Sequence, residues 1–218
     1  MCFHSKQSQT AQALEHRFKA KVADGISIEP TIYNGFSFPK TPIITTQQPD
    51  KIILSNWGLM PSWAKDSSFR KNTLNARVET LQEKPSFKNY TQNRCLIIAD
   101  GFFEWKWLDE KGLKKEKYFI ELPEQQSFAF AGIWSHWLDQ STGEIQHTYA
   151  MLTMQANALM SEIHNTKKRM PLILNAADWD TWLAPTTTET NVQQLMQPLE
   201  EGLLQANKAI DDGVLSLF

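Results

Sequence analysis

The stretch from residue 94 to residue 154 constrains the fold most, because it reads as a succession of strands with no helix among them. Arg94-Cys-Leu-Ile-Ile-Ala99 is a short continuous apolar run, the pattern of a buried strand. Asp100-Gly101 is a turn, and Phe102-Phe-Glu-Trp-Lys-Trp107 leaves it. Residues 117–122 set Tyr118, Ile120 and Leu122 on one face, the period-two signature of a strand. Residues 127–135 and 145–154 supply two more strands, and 42–46 and 51–55 form an earlier pair across a polar turn. Residues 28–42, with three prolines, read as an extended loop, as do 57–63, and Arg169–Leu174 reads as a strand. Helical spacing is predicted over 8–23, 77–92 with a break at Pro85, Asn157–His164, 176–184 and 189–209, with a last short strand at 213–217. Strands in runs, with helices inserted between them and added late, predict an α+β fold. We expect one domain over 1–218. Its core is a largely antiparallel sheet, curled or barrel-like, with peripheral helices. The motif-bearing part covers 1–184, and the tail 185–218 is peripheral.

With 218 residues the chain can bury a core without covalent staples. It has two cysteines, Cys2 and Cys95. Cys95 lies in the apolar run and reads as core, so no disulfide framework is implied and a reducing compartment is expected. No apolar run approaches the roughly 20 residues of a membrane span. The first ten residues lack the basic and apolar regions of a signal peptide. We expect a cytoplasmic, nucleoid-associated protein with no membrane partner. No zinc-ligand spacing, phosphate-cradling glycine loop or G-x-S-x-G elbow is found, so no metal or cofactor is expected. A net charge of −2 does not advertise nucleic-acid binding, although a local basic groove is compatible with it. Lys167-Lys168-Arg169 is one local concentration, and Lys111 to Lys117 reads as a solvated loop.

Cys2 stands directly behind Met1. Removal of Met1 would leave a terminal cysteine, with an α-amine and a thiol on adjacent carbons. The amine has a pKa of about 7.7–8.0 and the thiol about 8.5, so each can supply a nucleophile near neutral pH. Such an aminothiol can condense with an aldehyde and close to a thiazolidine, or act as an N-terminal nucleophile in amide hydrolysis. Asn75 is either a helix N-cap or a polar site residue. Glu104 lies among Phe102, Phe103 and Trp105. It is either a desolvated carboxyl suited to proton transfer or an outward strand residue. His164 closes a short helix, where it is either a dipole partner or part of an anion-binding rim. Eight tryptophans are present. Trp134, Trp179 and Trp182 fit burial, whereas Trp63 and Trp105 lie near polar loops and are candidates for stacking.

In order along the chain, these pieces resemble the SRAP family, the SOS-response-associated peptidase-like proteins. The matching pieces are Met1-Cys2, Trp57-Gly58-Leu59 with Pro61 and Trp63, Asn75-Ala76-Arg77-Val78-Glu79, Cys95 through Trp105, and His164 followed by Arg169-Met170-Pro171. The resemblance implies a covalent shield for abasic sites in single-stranded DNA, formed by Cys2 after Met1 is lost. It implies that Asn75 fixes Cys2 and the opened sugar, that Glu104 moves protons, and that His164 assists acid–base steps, including strand cleavage or reversal through an imine. Arg77 and Arg169 would bind phosphates, and Trp63 or Trp105 would pack on the strand. Two departures stand out. The family's cysteine-glycine-arginine start is here Cys2-Phe3-His4, and Asn165-Thr-Lys-Lys168 intervenes between His164 and Arg169. His4 replaces a phosphate-binding arginine with a mostly neutral imidazole, while Lys167 and Lys168 add positive charge. Two other functions use the same residues. A cysteine peptidase or amidohydrolase would use Cys2, Asn75 and Glu104 on a peptide. A noncovalent single-strand binder would use only the cations and rings.

Overall fold

The computed structural model describes residues 2–209. Its first half builds the strands that later ones join. These are β1 (His4–Gln7), a helix α1 (Ala11–Phe18), then β2 (Lys21–Val22), β3 (Thr31–Asn34), β4 (Lys40–Thr45), β5 (Gln48–Trp57) and β6 (Asn75–Arg77). The long strands follow as β7 (Arg94–Ala99), β8 (Gly101–Trp107), β9 (Lys115–Glu121), β10 (Phe128–Leu138) and β11 (Ile145–Gln155). After them come α2 (Ala158–Ile163), β12 (Arg169–Pro171), β13 (Ile173–Leu174), α3 (Trp179–Leu183), α4 (Glu189–Leu195) and β14 (Gln205–Lys208).

Two sheets result. The larger runs β12-β11-β10-β7-β4-β5-β2, and a parallel pairing of Thr148 and Tyr149 with Asn56 and Trp57 joins β11 back to β5. That pairing closes β11, β10, β7, β4 and β5 into a barrel, as the sequence predicts. The smaller sheet runs β14-β9-β8-β1-β3, all antiparallel. The chain passes between sheets at Asp100, whose carboxylate accepts from the Ser8 amide at 2.7 Å. The core contains fully buried Ile43, Ile52, Phe102, Phe130 and Tyr149. Burying a side chain of this size contributes about 1.5–3 kcal/mol relative to leaving it in water.

Gly58 ends β5 with a φ of +112°, and a Cβ there would lie 2.8 Å from the Cβ of Arg70. Only glycine fits this close approach, which explains the Trp-Gly pair. Cys95, Trp134, Trp179 and Trp182 are buried, as expected.

Four expectations need correction. Residues 77–92 are not an α-helix. Asn75–Arg77 is a strand on β11, followed by single 3-10 turns at Val78–Thr80 and Lys88–Tyr90 on either side of Pro85. Leu81 and Phe87 still bury, so the helical spacing marked core contacts rather than a helix. The first helix ends at Phe18, because Lys19 turns into the left-handed region at φ 52°, rather than running to Gly25. The loop over 28–42 contains β3 and the start of β4. The tail is helical only over Glu189–Leu195. Pro198 and Gly202, the latter at φ 86°, interrupt it, and Gln205–Lys208 pairs with β9. The strand expected at 213–217 lies outside the described residues.

Candidate functional site

The residues around Cys2 are tied down from three directions. The Asn75 side-chain amide donates to the Cys2 carbonyl at 3.0 Å. The Gly35 amide donates to the Phe3 carbonyl at 2.7 Å. His4 then enters β1, between β3 and β8. Asn75 is itself held, because the carbonyl of Leu74 before it accepts from the Trp57 indole at 2.8 Å and the Met151 amide at 3.1 Å. Asn75 is therefore a strand residue that grips Cys2, not a helix cap.

Glu104 is buried, with 5% exposure. In β8 it shares a face with Lys106, whose ammonium reaches Glu162 of α2 at 2.6 Å. Period-two alternation therefore turns Glu104 toward α2 as well. Burial raises the Glu104 carboxyl above its ordinary range. Burial also pushes the Cys2 thiol far up, and the Glu104 charge adds to that rise. The two groups therefore disfavour simultaneous ionisation. The Cys2 thiol lies 3.5 Å from the His4 carbonyl, which accepts from it.

Asn157 caps α2 by accepting from the Met160 amide at 3.0 Å. His164 closes the helix, and its Nδ1 accepts from the Arg169 amide at 3.1 Å. Burial, together with the charges of Lys167 and Arg169, lowers the imidazole to about 4. A helix-dipole role needs a cation, and this imidazole is neutral at pH 7. With Nδ1 accepting, the ring proton sits on Nε2. The segment 165–168 is fastened to β8. The Asn165 side chain accepts from the Trp107 amide at 3.1 Å and donates to its carbonyl at 2.8 Å.

Of the cations expected to meet DNA, Arg77, Lys167 and Lys168 are exposed. Arg169 is turned inward. Its guanidinium holds both oxygens of Glu79, at 2.5 and 2.9 Å, and donates to the Thr153 carbonyl at 2.6 Å. The pairing holds the Glu79 carboxyl below its usual range. His4 meets the Trp105 ring edge-on with centroids 4.9 Å apart, and burial together with Lys117 lowers its pKa, so it is neutral at pH 7. Trp63 is 50% exposed and packs edge-on against Phe69, on a separate loop. Glu79 was visible in the asparagine–arginine block but had no assigned role; its alternation with Arg77 was the available signal. Lys115 and Lys117 are not on a solvated loop. They lie on β9, over the rings of Trp107 and of Phe103 and Trp105. Among the described residues no group of three or more His, Cys, Asp or Glu could hold a metal ion. No described helix is long and apolar enough to cross a membrane.

The His164 environment has a pH consequence. Its neutral form is favoured in the folded protein, so this contribution to stability is complete above the unfolded value of about 6.5 and is lost as pH falls toward 4. The stability difference between wild type and His164→Gln should therefore shift against wild type as pH falls through that window. Denaturant midpoints measured at several pH values check this. A difference constant from pH 7 to 4 would contradict the burial argument.

The SOS response associated peptidase (SRAP) family model matches residues 1–212. The abasic site processing protein YoqW of Bacillus subtilis is 41% identical over 152 residues, covering 69% of this chain and 65% of that protein. The abasic site processing protein HMCES of Gallus gallus is 31% identical over 169 residues, covering 66% of this chain and 48% of its own length. The chain thus spans about two thirds or less of the length of these relatives. A crystal structure of a protein from Bacteroides thetaiotaomicron superposes with a TM-score of 0.88 at 34% identity, covering 97% of this chain and 93% of that one. Matched by that model over nearly its whole length, the chain belongs to the SOS response associated peptidase (SRAP) family.

Proposed function

We propose that this protein processes abasic sites in single-stranded DNA by forming a covalent thiazolidine through Cys2, in the cytoplasm. The observation that carries the reading is the grip of Asn75 on the Cys2 carbonyl, beside a buried Glu104 whose charge is felt at the thiol. The named relatives are abasic site processing proteins, which supports the same chemistry.

Loss of Met1 frees the Cys2 amine. The amine adds to the aldehyde of the ring-opened sugar, and water leaves to give an imine. The thiol then adds to the imine carbon, and its proton ends on the nitrogen of the closed ring. A buried thiol is a poor acid, so this step needs a nearby proton carrier. Glu104, with its raised pKa, meets that need. His164, neutral with its proton on Nε2, can donate a hydrogen bond to a sugar or phosphate oxygen during strand cleavage or reversal. Asn75 keeps the nucleophile in register. Arg77, Lys167 and Lys168 neutralise phosphates, with His4, Trp105 and Trp63 along the strand. Arg169 acts chiefly through Glu79 and His164.

Incubating the processed protein with abasic and intact oligonucleotides, followed by a denaturing gel, tests the proposal. An adduct with the abasic strand alone is expected. No adduct, with peptide hydrolysis instead, would replace this reading by the peptidase one. Binding to an intact strand should weaken as salt rises, by about 0.7 log unit per log unit of salt for each phosphate neutralised. Arg77→Ala should lower that slope by about 0.7 and weaken binding to intact and abasic strands alike. A loss confined to the abasic strand would move Arg77 from positioning to chemistry.

A further inference from the structure

The outward face of the five-stranded sheet has an unusual composition. The inward face is the buried one. Ser5, Gln7, Phe102 and Ile120 have 3%, 1%, 0% and 0% exposure. Alternation places Lys6, Phe103, Trp105, Trp107, Lys117 and Phe119 on the other side, with Lys115 at the hairpin end. An outer sheet face normally carries mixed charges and few rings. Here the rings form a row, and every lysine sits over one of them. Lys6 lies 5.0 Å from the Phe119 centroid, Lys115 5.2 Å from that of Trp107, and Lys117 4.7 Å from that of Phe103.

The rings also lie low on the sheet. A Cβ at Gly101 would come within 2.3 Å of the Phe119 ring, so that ring rests across the glycine. Its opposite face points outward, beneath Lys6. The carboxylate that β9 contributes to this side is Glu121, at the far end of the strand from Lys115. Toward the Cys2 site the same face includes His4, paired with Phe103 and two residues on from Cys2, and its ring meets that of Trp105 at 4.9 Å.

Resting on the proposed function, we infer that this face carries the DNA strand onward from the Cys2 site. Bases would lie on the rings of Phe119 and Trp107, and the phosphates would take the lysine ammonium groups that now cover them. Charge complementarity and continuity with the site select a single-stranded nucleic acid as the occupant. Stacking on rings is tolerant of sequence, so the tract would add affinity and polarity without base preference.

The test uses a strand with a nonreactive tetrahydrofuran at the abasic position, lengthened stepwise on its 5′ or 3′ side. Affinity should rise with length on one side only. Lys6→Glu combined with Lys115→Glu should abolish that rise and lower the salt slope by about 1.4, for two phosphates. Phe119→Leu, which keeps an apolar side chain over Gly101, should weaken the long strand by about tenfold. All variants should form adducts with a short abasic strand at the wild-type rate, which also shows that they are folded. An equal rise in wild type and variants, or no rise on either side, overturns the inference while leaving the proposed function intact. Failure of wild type to form an adduct with the short abasic strand would instead remove the reading on which the inference rests.

Discussion

Replacing Cys2 by alanine should abolish the denaturation-resistant adduct with abasic single-stranded DNA. The alanine variant keeps an α-amine, so an imine can still form and hydrolyse. It has no thiol to close the ring, and an imine does not survive denaturation and washing. Noncovalent affinity should change little, because Cys2 is fully buried and adds nothing to the exposed cations. The decisive comparison is adduct yield on a denaturing gel with and without prior borohydride reduction. Wild type should give product in both lanes, and Cys2→Ala only after reduction. Equal yields without reduction would remove the thiazolidine from the mechanism.

The second large effect is expected at Glu104. Glu104→Gln preserves shape and most of the packing beside Phe102 and Phe103, but the amide cannot exchange a proton at neutral pH. A general acid–base group typically contributes about 100- to 10,000-fold, so adduct formation should slow by that order while DNA binding persists. Removing the charge also removes its contribution to the raised Cys2 pKa, which should make the thiol somewhat easier to ionise. That second effect opposes the first, so a faster reaction in Glu104→Gln would mean that Glu104 restrains the thiol rather than serving it. Single-turnover time courses separate the two outcomes.

The sequence carried the strands of the barrel and the cap of α2 because those features are local. Apolar runs and alternation mark β7, β10 and β11, and Asn157 marks the start of its helix. It misled over 77–92, where Val78 and Leu81, and Phe87 and Tyr90, have helical spacing but the backbone before them is claimed by β11. The missing information there was a partner far along the chain. The same holds at the site. The residues that meet at Cys2 could be named, yet the state of each depends on distant neighbours. Arg169 reads as a free cation until Glu79 is found across it, 90 positions away. His164 reads as a cationic helix end until burial is known. Lys115 and Lys117 read as solvated until β8 supplies the rings beneath them.

The place of β1 in its sheet decides when the terminus is fixed. The strand that follows Cys2 is not an edge strand; it is zipped between β3 and β8, and the residue gripping Cys2 is 73 positions away. Contacts at such separations form late, after shorter loops have closed. A chain emerging from synthesis therefore presents its first residues long before the groups that orient them exist. On the proposed mechanism the barrel acts as a timer on the terminus: until Asn75 and Glu104 have folded into place, the cysteine has neither a fixed position nor a proton carrier. Until then the end is an exposed aminothiol open to any small aldehyde, and completing the fold would bury the thiol and confine its chemistry to ligands that reach the site.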